Sequence, residues 1–159
     1  MNVLFVCTGN TCRSPIAEKL LEKKVKEKKL NINVKSAGIA AWEGHPVSEN
    51  TKLILEGYGI DSNHQTRSVT KELLSWADIV LTMTMNHKQI LIGQEPDFQE
   101  KIYTLKEFAL IKSDMNKDTS TSPNVIDPFG GDLETYRKVA EEIATAIDSL
   151  LKNELFNKN

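Results

Sequence analysis

The sequence predicts an α/β fold, a three-layer sandwich with a four-stranded parallel sheet flanked by helices. Three observations carry this. Short apolar runs rich in β-branched residues recur along the chain, and each suits a strand buried on both faces. Stretches with apolar residues at helical spacing separate them, so the strands alternate with helices and pair in parallel through right-handed crossovers. Finally, a glycine-containing loop follows the first apolar run directly, at the end of a strand where open α/β sheets bind ligands.

Element by element, residues 2–6 (NVLFV) read as the first strand. Ser14 is placed to cap the next helix and Pro15 fits its first turn. Ala17, Leu20, Leu21 and Val25 then line one face of a helix running to about Lys29. Its lysine-rich stretch EKKVKEKK is punctuated by glutamates and reads as a solvated outer face, not a basic patch. A second strand is expected over residues 31–36, ending in Ser36-Ala37-Gly38, followed by a loop with Trp42, Gly44 and Pro46. Helical spacing returns over residues 47–58, with Gly57 and Gly59 ending it, and again after Thr70 around Leu73, Leu74 and Trp76. Residues 78–83 (DIVLTM) form the third strand, residues 87–92 a helix and residues 101–105 the fourth strand. Residues 112–124 (KSDMNKDTSTSPN) are polar and rich in turn formers, and read as a mobile surface loop. Tyr136, Val139, Ala140, Ile143, Ile147, Leu150 and Leu151 share the stripe of a final helix.

Bulk properties bound the function. A chain of 159 residues with 40% hydrophobic content fits one core, hence a single domain over residues 1–159. A net charge of −2 gives no reason to expect a nucleic-acid partner. The initial VLFV is far too short for a signal peptide or a membrane span, so no membrane partner is expected and the cytoplasm is the default compartment. The 2 cysteines cannot build a disulfide framework, and a reducing compartment keeps a thiol available as a nucleophile. His45, His64 and His87 are scattered and no Cys-x-x-Cys pair exists, so neither a zinc site nor another cofactor is expected.

The chemistry concentrates in Cys7-Thr8-Gly9-Asn10-Thr11-Cys12-Arg13-Ser14. A tight loop between strand and helix turns successive backbone N–H groups inward, and the helix start adds partial positive charge, which suits a phosphate oxyanion. Arg13 supplies a planar fork for two oxyanion oxygens, and the same field favours the thiolate of Cys7. Ser14 is in reach to donate to the sulfur. The loop is not a Walker loop, because it lacks GxxxxGK[ST]. A thiolate attacking phosphorus needs a proton donor for the leaving group. Asp127, held extended by Pro128 and followed by Phe129-Gly130-Gly131, is the candidate, although an Asp-Pro pair alone also serves as a turn or helix cap. Trp42 and Phe129 are candidate apolar walls for the substrate side chain. Cys12 leaves two readings open: a disulfide partner that shields Cys7 from over-oxidation, or a packed thiol beneath the loop.

With Val6-Cys7-Thr8-Gly9-Asn10-Thr11-Cys12-Arg13-Ser14-Pro15 at one end and Asp127-Pro128-Phe129-Gly130-Gly131 at the other, the chain resembles the low-molecular-weight protein tyrosine phosphatases over nearly its whole length. Ser36-Ala37-Gly38 and the aspartate-led third strand add to the likeness. The resemblance implies no metal, a phosphorylated protein as substrate and a cysteinyl-phosphate intermediate. Carried over by position, it makes Cys7 the nucleophile, Arg13 the phosphate clamp and Asp127 the general acid. Thr8, Gly9, Thr11 and Cys12 then belong to the substrate-binding loop, with Asn10, Ser14 and Ser36 holding its shape. Two departures matter: Phe129 is followed by Gly130 where eukaryotic members usually have a second aromatic, and Thr11 stands where they commonly carry isoleucine. The threonine form resembles a bacterial branch acting on protein phosphoarginine, since a hydroxyl accommodates a guanidinium where an aliphatic branch suits a phenol ring. Phosphoarginine is therefore expected before phosphotyrosine. Arsenate reductases share a similar loop but need a downstream cysteine pair, and this chain has no cysteine after Cys12. A silent phospho-reader is disfavoured by the presence of nucleophile, clamp and acid together.

Overall fold

A computed structural model of the chain describes residues 1–111 and 122–157. Strands β1 (Asn2–Cys7), β2 (Asn33–Gly38), β3 (Ile79–Thr82) and β4 (Ile102–Thr104) form one sheet of order β2-β1-β3-β4, with every neighbouring pair parallel. The helices are α1 (Arg13–Lys28), α2 (Glu49–Gly57), α3 (Lys71–Trp76), α4 (Met85–Gln94), α5 (Leu105–Ile111), α6 (Leu133–Leu151) and α7 (Glu154–Asn157), with a 3₁₀ turn at Pro96–Lys101.

The alternation of β1 builds the layers. Val3 and Phe5 point to one face, where they pack with Ile16 and Leu21 of α1, Phe108 of α5 and Val139, Ile143 and Ile147 of α6. Leu4 and Val6 point to the other, against Leu74 of α3 and Leu91 of α4. All four strand side chains are fully buried, and each contributes about 1.5–3 kcal/mol through removal from water. Because β1 lies between β2 and β3, its carboxyl end sits where the crossovers diverge. That is the ligand-binding crevice of open parallel sheets.

Several expectations change. Ser14 does not cap α1: the helix starts at Arg13 with Cys12 as its N-cap and no side-chain cap, and Ser14 lies inside the first turn with its hydroxyl committed elsewhere. Strand β2 starts and ends two residues later than predicted, because Ala37 and Gly38 pair with Val6 and Cys7. The 3₁₀ turn, α5 and α7 have no counterpart in the sequence reading. Ser48, Thr70, Thr84 and Asp132 cap α2, α3, α4 and α6 by accepting a backbone N–H three residues on. Of the loop predicted at 112–124, residues 112–121 lie outside the described residues, whereas Asn124 Oδ1 accepts from Met85 N at 2.8 Å.

Candidate active site

The loop from Cys7 to Arg13 is shaped by where its carbonyls go. Cys7 O accepts from Ile39 N, Thr8 O from Ala40 N, Thr11 O from Ser48 N and Cys12 O from Ile16 N, at 2.9–3.1 Å. With the Cys7, Thr8 and Thr11 carbonyls tied to neighbouring segments and that of Cys12 opening α1, the peptide N–H groups between them are left for the interior of the loop. Gly38 makes this approach possible. A Cβ there would stand 2.5 Å from Thr8 O and 2.9 Å from Asn10 N.

Behind the loop a buried polar network fixes the turn. Asn10 sits in the left-handed region with φ 57° and is fully buried. Its Nδ2 donates to Ser14 Oγ at 2.8 Å and to Ser36 Oγ at 2.9 Å, while its Oδ1 accepts from Arg67 N at 3.1 Å and His64 Nε2 at 3.0 Å. Ser36 Oγ donates to Glu18 Oε2 at 3.0 Å, and the same oxygen lies 3.2 Å from His64 Nδ1. Since Arg67 N–H fixes Asn10 Oδ1 as an acceptor, His64 must donate from Nε2, so a further proton sits between Nδ1 and Glu18. The network leaves none of these buried groups without a partner, as their low-dielectric setting demands.

This support aims the nucleophile. Ser14 Oγ, already accepting from Asn10, lies 2.9 Å from Cys7 Sγ and 3.4 Å from the Ala37 carbonyl, so once the sulfur is a thiolate the hydroxyl is in place to donate to it. Arg13 is 4% exposed, its Nη1 donating to Val125 O at 3.0 Å and its Nη2 lying 3.6 Å from Asp127 Oδ2. Asp127 is half exposed at the mouth, with Oδ1 accepting from Phe129 N at 3.1 Å. Cys12 is a free thiol tucked under the loop, 3.4 Å from Tyr136 Oη and 3.5 Å from both Thr11 Oγ1 and Ser48 Oγ. Burial, reinforced by the Cys12 contact, pushes the Tyr136 phenol up to about 12. A pocket of about 540 Å³ opens over Cys7, Thr8, Gly9, Thr11, Cys12 and Arg13, with Trp42, Asp127 and Phe129 on its walls. Both aromatics are open to solvent, Trp42 at 79% and Phe129 at 81% exposure.

A family model described as low molecular weight phosphotyrosine protein phosphatase matches residues 2–159. The chain belongs to this family. Among its low molecular weight phosphatase relatives, a protein-arginine-phosphatase of Geobacillus stearothermophilus is 41% identical over 148 residues, which cover 93% of this chain and 92% of the relative. A solved structure of the YwlE arginine phosphatase, a C7S mutant with a phosphorylated active-site serine, superposes with a TM-score of 0.87 at 37% identity, covering 96% of this chain and 94% of that one. The low molecular weight protein tyrosine phosphatase of T. tengcongensis superposes with a TM-score of 0.85 at 44% identity, covering 96% and 98%.

Within this family framework, the pocket brings together Cys7, Thr8, Gly9, Thr11, Cys12, Arg13, Trp42, Asp127 and Phe129 from the residues expected by sequence. Asn10, Ser14 and Ser36 stand behind the loop, fully buried. Glu18, His64 and His87 escaped the sequence reading as parts of the site. Glu18 left a signal: an acid four residues after Ser14, inside an apolar helix stripe, is out of pattern unless it is partnered. The histidines left none, because chain segments far apart in sequence bring them to the loop. Among the described residues no group of histidines, cysteines and carboxylates could hold a metal ion, and no helix is long and apolar enough to cross a membrane.

Proposed function

We propose that the protein is a cysteine-dependent phosphatase that removes phosphate from arginine side chains of proteins, as a single catalytic domain working in the cytoplasm. Cys7 Sγ attacks phosphorus in line. The P–N bond breaks as an S–P bond forms, and Asp127, entering protonated, gives its proton to the departing nitrogen. Asp127 then takes a proton from water, whose oxygen attacks phosphorus and releases the Cys7 thiolate with inorganic phosphate. Arg13 and the loop N–H groups hold the equatorial oxygens throughout, where charge builds in both steps. The anchoring of Arg13 by Val125 O leaves its other nitrogen facing Thr8 and Asp127, at the mouth where substrate enters.

The observation that carries the substrate class is Thr11. Thr11 lines the same pocket as Trp42 and Phe129, and its hydroxyl offers a polar guanidinium an acceptor that an aliphatic branch cannot. Phosphotyrosine is the second reading, favoured by the Trp42 and Phe129 walls and by the likeness to the low molecular weight protein tyrosine phosphatase of T. tengcongensis. Turnover of phosphoarginine and phosphotyrosine peptides, compared in the parent and in Thr11→Ile, separates the two. The parent is expected to prefer phosphoarginine and the variant to move toward phosphotyrosine. Equal preference in both proteins discards the role of Thr11, and turnover retained in Cys7→Ser discards the mechanism.

A further inference from the structure

The reaction above gives His87 no task, yet its ring is pressed against the loop. It projects from the first turn of α4, where its own N–H is held by the Thr84 cap, and it is 5% exposed. Nε2 lies 2.8 Å from Thr8 Oγ1, while Nδ1 is shut away from solvent with no hydrogen-bond partner among the described residues. These two facts select one protonation state. The Nδ1–H tautomer and the imidazolium both strand an N–H in the interior, and the imidazolium adds charge beside Arg13. The Nε2–H tautomer strands only a lone pair, which costs less.

Proton accounting at Thr8 follows. Its oxygen then accepts from His87 Nε2–H and, at 3.5 Å, from Arg13 Nη2. With both neighbours donating, the hydroxyl's own hydrogen can point to neither and turns to the side Thr8 exposes, into the pocket.

We propose that His87 is a positioning residue for the anion site: as the neutral Nε2–H tautomer it donates to Thr8 and turns the Thr8 hydroxyl toward a phosphoryl oxygen held beside Arg13. Thr8 thereby becomes a side-chain donor added to the ring of backbone N–H groups. This rests on the reading of the loop as a phosphate site. The electrostatics agree: burial first, then the nearby Arg13 guanidinium, hold His87 down to about 4 against the opposing pull of Asp127, so the ring is neutral at working pH.

Two measurements test it. Long-range proton–nitrogen NMR on the resting protein at neutral pH reads the tautomer without turnover or mutation. A protonated Nε2 with a bare Nδ1 is expected, and a protonated Nδ1 overturns the proposal even if the phosphatase reading stands. Kinetics supply the second. Thr8→Val and His87→Leu are each expected to lower kcat by roughly tenfold, the loss of about one charge-assisted hydrogen bond in the transition state. The double variant should be no slower than either single one, and His87→Gln, which restores a donor near Nε2, should recover most of the loss. Multiplying losses in the double variant would show that His87 acts independently of Thr8. If no variant, parent included, turns over any phosphorylated peptide while the tautomer is as expected, the phosphatase reading fails and the hydrogen-bond geometry survives.

Discussion

The neutral, buried His87 makes a quantitative statement about acid stability. Its folded pKa stands at about 4 against an ordinary value of 6.5. Between those values the unfolded chain binds a proton that the folded chain refuses, so the slope of unfolding free energy with pH is positive and stability falls as the solution is acidified. At about 1.4 kcal/mol per pH unit the loss accumulates to about 3 kcal/mol once pH reaches the folded value. The perturbation is His87→Leu, which keeps an apolar ring-sized filling but cannot titrate. Urea denaturation of both proteins across this window gives the two stability curves, and their difference cancels every carboxylate that titrates alike in both. Above the window the parent should be the more stable, by the Thr8 hydrogen bond and its better packing. That advantage should shrink by about 3 kcal/mol on going to the acid end and then level off. A difference independent of pH would mean that His87 titrates normally in the fold. The desolvation argument, and with it the neutral tautomer, would then be wrong.

Asp127→Asn should lower kcat for phosphoarginine peptides by roughly a hundredfold or more, the scale of a lost general acid. Steady-state assays should show a much smaller loss on an aryl phosphate whose leaving group needs no proton, and an equal loss on both would remove Asp127 as the acid. Gly38→Ala inserts a methyl group 2.5 Å from the Thr8 carbonyl, against backbone that cannot rotate aside. The strand and loop must part, so unfolding free energy should fall by about 1–3 kcal/mol in urea titrations and phosphate should bind more weakly in calorimetry. Unchanged phosphate affinity would show that the close approach does not shape the cradle.

The parts of the fold legible in the sequence are those where one physical demand dominates. β1 and β3 are buried on both faces, and continuous apolar runs announce that without competition. The stripe of α6 is equally direct, because one face meets the core and the other meets water. β2 was misplaced because its last residues, Ala37 and Gly38, are chosen for closeness to the loop and not for strand propensity. Gly38 is where the loop comes nearest. α5 shows a signal that was present and unread. Thr104 Oγ1 accepts from Glu107 N at 2.9 Å and Glu107 Oε2 accepts from Thr104 N at 3.1 Å, a capping box spelled Thr-Leu-Lys-Glu. Its threonine also ends β4, so the strand pattern masked the helix start.

The site divides along the same line. Cys7, Arg13 and Asp127 could be read because reactive side chains at a strand end or a Pro-Gly turn have few other uses there. The residues that hold them could not, because their partners are set by topology: His64 and Arg67 reach Asn10 from more than fifty residues away, and His87 reaches Thr8 from the first turn of α4. Yet the loop cannot dispense with them. A thiolate and a phosphate gathered within one pocket repel one another, and only fixed donors offset that repulsion without rearranging as charge moves. Outward-tied carbonyls leave the backbone donors free, Asn10 pins the turn in its left-handed conformation, and Ser14 stands within hydrogen-bond reach of the sulfur. Among the described residues lining the pocket, the formal positive charge at the centre thus comes from Arg13. Every other buried group around it is either neutral, like His87, or balanced in place, like Glu18 with His64.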